Sequence, residues 1–124
     1  MTKNTDAKDQ VQEKTGESLP GHHIAFKMQL HKGFESEYKK RHDDLWPELE
    51  DLLKSTGISE YSIFLDESTN SLFAFMKARD LNAVTEMSAH PVMKKWWAYM
   101  KDLMEVNEDH SPVTIPLKEV FYLR

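Results

Sequence analysis

Pro47 directly follows Trp46 inside an amphipathic stretch, and this pair limits how the chain can fold. Proline cannot continue a helix and biases the residue before it toward extended backbone. The spacing therefore predicts one helix ending near Asp43 or Asp44 and a second starting at Pro47. Within the first helix, Tyr38 and His42 are four residues apart and so share one face. Phe34, Leu45, Leu49, Leu52 and Leu53 continue the three- and four-residue steps, which turns Tyr38 and His42 inward toward a sheet. A polar pair is thereby expected where packing alone would be served by apolar side chains. His42 falls in a last helical turn, where carbonyl dipoles gather and favour imidazolium, so its pKa is expected to be modestly raised.

Around this stretch the chain reads in order. Residues 1–20 are polar with almost no large apolar side chain, which cannot offset the entropy of ordering, so residues 1–21 are expected to form a disordered tail. Residues 22–124 are expected to form one domain. Ile24 to Leu30 alternates apolar and polar positions as a half-buried strand, and the helical region closes at Thr56-Gly57, with glycine where a left-handed cap is wanted. Tyr61 to Asp66 and Leu72 to Ala78 read as a hairpin about a polar turn at Asp66 to Asn70. Asp80 can cap a helix over Leu81 to Ser88, and His90-Pro91 can start another carrying Met93, Trp96, Trp97, Met100 and Met104. Residues 107–116 have loop composition, and Lys118 to Leu123 is expected to be a last strand.

The order strand, helix, strand, strand, helix, strand is an α+β, ferredoxin-like β-α-β-β-α-β arrangement, with helices on one face of an antiparallel sheet. Both faces of the sheet are apolar: Tyr61, Ile63 and Leu65 oppose Phe64, and Phe73 and Phe75 oppose Leu72, Ala74 and Met76. A second copy of the chain is expected to cover the face the helices leave open, giving a symmetric dimer.

Composition narrows the function. A net charge of −5 argues against a phosphate-backbone binder, and no run of sequence resembles a membrane span, so neither nucleic acid nor membrane is an expected partner. The chain has no cysteine, which excludes disulfides, thiolate metal sites and Cys nucleophiles and is compatible with a reducing compartment. Residues 1–20 lack the apolar run of a secretory signal, and a cytoplasmic location is expected. His22, His23, His31, His90 and His110 show no metal-ligand spacing, and four glycines leave no dinucleotide fingerprint. What remains is acid–base chemistry without a cofactor, or plain binding.

For that chemistry His42 is the first candidate, because imidazole gives and takes protons near pH 7 and Tyr38 offers a hydroxyl beside it. A structural histidine on a helix face is the competing reading. Trp96 and Trp97, adjacent in a helix, point about 100° apart, so one is expected to pack while its neighbour faces something else. An indole face suits the C–H face of a sugar as well as it suits a partner helix. Tyr61 fits either the core or the rim of a pocket.

Four blocks carry a resemblance: Glu37-Tyr38-Lys-Lys-Arg41-His42-x-x-Leu-Trp46-Pro47-Glu48-Leu49, then Tyr61-Ser-Ile-Phe-Leu65, Lys95-Trp96-Trp97-Ala-Tyr99-Met100 and Glu119-Val-Phe-Tyr-Leu123. In content, order and spacing they resemble the L-rhamnose mutarotases across residues 23–124. The resemblance implies a dimeric α/β barrel, ferredoxin-like in each subunit, that interconverts the α and β anomers of L-rhamnose without a cofactor. It also implies His42 as proton donor and Tyr38, Tyr61, Trp96 and Trp97 as sugar-contacting residues. Asp43 stands where Asn is common after the histidine, and Glu108 and His110 differ from the usual late loop, which bears on the pocket rim. The same architecture also serves small monooxygenases and haem-handling proteins, in which His42 would be a ligand, and non-catalytic binding modules, in which Trp96 and Trp97 would be interface packing.

Overall fold

The computed structural model describes residues 21–124; the expected tail lies outside them except for Gly21. Eight elements follow in order: β1 (His22–Gln29), α1 (Glu35–Asp43), α2 (Pro47–Ser55), β2 (Ile58–Asp66), β3 (Ser71–Ala78), α3 (Leu81–Met87), α4 (Pro91–Met100) and β4 (Ile115–Pro116). The strands form one antiparallel sheet in the order β2-β3-β1-β4, which is the ferredoxin-like topology. Each crossover is a pair of short helices.

The breaks fall where local chemistry puts them. Trp46 is extended and Pro47 opens α2, while Gly57 beyond its end takes φ +95°, a conformation that costs glycine little. The Asp80 carboxylate accepts the Asn82 and Ala83 N–H groups to cap α3, and the His90 ring accepts the Val92 N–H ahead of α4.

All four helices lie on one face of the sheet. Beneath α1, α2 and α4, Met28, Leu30, Leu72 and Ala74 pack with Tyr38, Leu49, Met93, Trp96 and Met100. Beneath α3, Ile58, Met76 and Ala78 form a smaller cluster with Val84 and Met87. Strand β2 begins earlier than its alternation predicts, at Ile58, because the period is interrupted. Ser59 pairs with Lys77 and Ser62 with Phe75, so the strand holds one residue more than its partner, and Glu60 has φ +51°. This bulge returns Tyr61 to the same side as Ile58, Ile63 and Leu65, over the helix-side core.

The final strand is the main correction. It is expected at Lys118 to Leu123 but consists of Ile115–Pro116, paired with Lys27 and Phe26. After the Leu117 N–H bonds to the Ala25 carbonyl at 2.9 Å, the chain leaves the β1 edge. Alternation and β propensity make a strand only where a ladder is available to pair with. Within a single chain the segment finds side-chain contacts instead: Glu119 bonds His23 at 3.0 Å, and the Tyr122 and His23 rings meet at 4.2 Å. Val120, Phe121 and Leu123 stay exposed, as do Phe64 and Phe75 on the helix-free face of the sheet.

Leu72 is 2% exposed at the centre of the helix-side core. Leu72→Ala is expected to lower unfolding stability by about 2–5 kcal/mol, read as a lower urea midpoint at unchanged slope. A loss well under 1 kcal/mol would show that this core is not where the fold is held.

Candidate active site

Tyr38 and His42 point from one face of α1 into a cavity between sheet and helices, and Tyr61, Trp96 and Trp97 line the same cavity. The five residues singled out in the sequence are thus brought together from three elements. The cavity has a volume of about 1580 Å³ and is open to solvent.

His42 is part of its lining. Its ring lies 4.4 Å from the Tyr38 ring and meets Trp96 edge-on at 5.4 Å. The His42 Nδ1 is 3.0 Å from the Tyr38 carbonyl oxygen, one helical turn back. A carbonyl can only accept, so Nδ1 carries a proton, and Nε2 is left as the nitrogen able to take or give one. The pKa runs against expectation. Burial lowers it below the usual 6.5, outweighing the Tyr38 carbonyl and the Asp43 carboxylate, which both act to raise it. The desolvation of the charged ring among the cavity's apolar walls is the larger effect here and overrides the pull of the helix end.

Both phenols respond to the same enclosure. Burial raises the Tyr38 pKa well above the ordinary value of 10, with Tyr61 adding in the same direction. Tyr61 is pushed up to about 12 by burial, although 39% of the residue is exposed. At neutral pH both groups are protonated and able to donate hydrogen bonds.

On α4 the adjacent indoles divide as their 100° offset requires. Trp96 is 7% exposed and packs, while Trp97 is half-buried. Trp96 also meets Trp46 edge-on at 5.1 Å, and Trp46 lies against Tyr99 at 5.4 Å. The sequence gives Trp46 a role as the helix break and places it and Tyr99 in the resemblance blocks, but assigns neither to the site. The signal available was their place in the same blocks as Tyr38, His42 and Trp96.

The far rim of the cavity is the loop after α4, including Asn107, Asp109, His110 and Ser111. Its shape is fixed by short side chains: the Asn107 amide donates to the Ser111 hydroxyl at 3.0 Å, and Asp109 accepts the Ser111 N–H at 3.0 Å. Asp109-His110-Ser111 is a recognisable turn pattern, yet only the tertiary fold brings it to the pocket. His110 has φ +72° at its tip. Among the described residues no three His, Asp or Glu side chains are grouped to hold a metal ion.

Fold and site together define an α+β protein of ferredoxin-like topology that carries a histidine–tyrosine pair in an aromatic cavity between sheet and helices. A family model described as L-rhamnose mutarotase matches residues 23–123, and the chain belongs to that family. An L-rhamnose mutarotase of Formosa agariphila is 56% identical over 100 residues, covering 81% of this chain and 96% of its own length. One from Brucella anthropi is 49% identical over 105 residues, covering 85% and 99%. The crystal structure of an L-rhamnose mutarotase from Formosa agariphila matches with a TM-score of 0.76 at 56% identity, covering 83% of this chain and 99% of that one.

Because burial dominates at His42, its ring is expected to titrate below 6.5 when followed by NMR, as the lowered pKa requires. A midpoint above 6.5 would mean that the helix end governs the ring after all.

Proposed function

We propose that this protein interconverts the α and β anomers of L-rhamnose without a cofactor, by acid–base opening and closing of the sugar ring. The observation that carries the reading is the His42–Tyr38 pair, desolvated in a cavity lined by Trp96, Trp97 and Tyr61, in a chain whose family match spans nearly all described residues. His42 is the proton donor. Its Nε2 delivers a proton to the ring oxygen while the anomeric hydroxyl loses one to water; the C1–O5 bond breaks and the aldehyde forms. Rotation about C1–C2 presents the other carbonyl face. On closing, the O5 hydroxyl returns its proton to Nε2 as it attacks C1, and water reprotonates the anomeric oxygen. Tyr38 and Tyr61, held as neutral phenols, donate hydrogen bonds to the sugar, and Trp96 and Trp97 offer apolar surface to its C–H face and methyl group.

Exchange NMR on equilibrated L-rhamnose is expected to show anomer exchange accelerated by the protein and slowed about 10²- to 10⁴-fold by His42→Ala, the usual range for a general acid. The sign of the pH dependence follows from the donor role. Imidazolium is the active form, so the rate rises on acidification and levels off below the lowered His42 pKa. A rate that instead falls through that range would make His42 the base.

The working unit in this reading is a homodimer. The sheet face without helices exposes Phe64 and Phe75, stacked edge-on at 5.8 Å, and the segment beyond β4 exposes Val120, Phe121 and Leu123. Apolar surface arranged this way calls for a cover, and a second copy supplies it symmetrically. Sedimentation of the wild type is expected to give twice the 14.5 kDa chain mass, and the Phe64→Ser, Phe75→Ser double variant a folded single chain. A wild type that sediments as one chain would remove the dimer. The compartment proposed is the cytoplasm, with which a cysteine-free chain is compatible. No helix among the described residues is long and apolar enough to cross a membrane.

A further inference from the structure

We propose that Arg41 is a positioning residue, which ties the C-terminal turn of α1 to the C-terminal turn of α4 and so fixes His42 against Trp96. Arg41 adjoins His42 on α1, and because successive helical residues point about 100° apart it faces away from the cavity that His42 enters. It does not line that cavity. Even so, its side chain is only 14% exposed, and the guanidinium is engaged through its Nε, one terminal nitrogen and one face.

Its Nε donates to Glu37 on the same helix at 2.8 Å. One terminal nitrogen donates to the Tyr99 carbonyl at 2.6 Å and to the Asp102 carboxylate at 3.2 Å. The guanidinium carbon lies 4.4 Å from the centre of the Tyr99 ring. Carbonyls in the last turn of a helix lack partners within the helix, and a cation placed there is favoured by the helix dipole, so Arg41 caps α4 from a neighbouring helix. Only a planar fork with several fixed donors makes these contacts at once; lysine has a point charge instead.

The tether closes a loop of contacts. Arg41 holds Tyr99, Tyr99 lies on Trp46, Trp46 meets Trp96, and Trp96 meets His42, the neighbour of Arg41 in the chain. Helix α1 has nine residues, too few to be stable by itself, so tertiary ties set where its last turn lies. Trp96 by contrast is held by the core around Met93 and Met100 whatever Arg41 does. Loss of the tether therefore displaces the proton-transfer group and leaves the packed indole in place.

The inference rests on the mutarotase reading for its kinetic consequence, and on structure alone for its effect on the His42 ring. Arg41→Ala and Arg41→Lys, in the full chain, are compared with wild type in L-rhamnose exchange NMR and in ¹⁵N NMR of the His42 ring. Arg41→Ala is expected to lower kcat about 10- to 100-fold, the scale of a misplacement near 1 Å, with KM changed by less than about threefold, and Arg41→Lys to recover part of the loss. The distinct Nδ1–H and Nε2 signals of the wild-type ring are expected to move toward averaged values in Arg41→Ala. If Arg41→Ala does not fold, Arg41→Lys carries both readouts. Unchanged kcat with an unchanged ring signature overturns the proposal, as does a loss confined to KM. If wild type accelerates no exchange, the mutarotase reading fails by itself, and the ring signature alone decides on Arg41.

Discussion

The contact of α4 with α1 through Trp96 is what the site depends on. A buried indole removes a large apolar area from water, and it does so here while touching His42, Trp46 and Tyr99 at once. That packing draws the end of α1, the start of α2 and the body of α4 onto one patch of the sheet. The polar groups of Tyr38 and His42 are carried inward with it, at a cost that the surrounding apolar burial offsets.

From that enclosure comes the electrostatic character of the site. In water a histidine at a helix end would be pulled toward its charged form, and the tyrosines would keep ordinary acidities. In the cavity the penalty on charge governs all three groups, so the histidine is shifted toward its neutral form and the phenols away from ionisation. A neutral ring whose Nδ1 is committed to the Tyr38 carbonyl has one nitrogen left for proton exchange. Its conjugate acid is stronger than that of a free histidine, which suits delivery of a proton to a weakly basic ring oxygen.

The sheet treats its two faces unequally. One is covered by four helices, and the other presents phenylalanines and leads to a C-terminal segment whose apolar side chains remain in water. That segment has the alternation of a strand and no ladder for it beyond Leu117. Covering the face and the segment together is the work that the proposed second copy would do.

The sequence by itself determined the elements and much of the site. Pro47 and Pro91 each follow an extended residue and open a helix, Gly57 and Asp80 mark a helix end and a helix start, and these are local steric and hydrogen-bonding effects that any context preserves. Tyr38 and His42 were legible as an inward pair because four-residue spacing fixes a shared helix face, and adjacency fixed the divergence of Trp96 and Trp97. Tertiary structure decided what depends on neighbours distant in the chain. The sign of the His42 shift turned on how many apolar walls close around the ring, the aim of Tyr61 on a bulge at Glu60, and the role of Arg41 on a carbonyl 58 residues away. The last strand shortened for the same reason: periodicity states which side chains alternate, whereas pairing requires a neighbouring strand, which β1 offers only to Ile115 and Pro116.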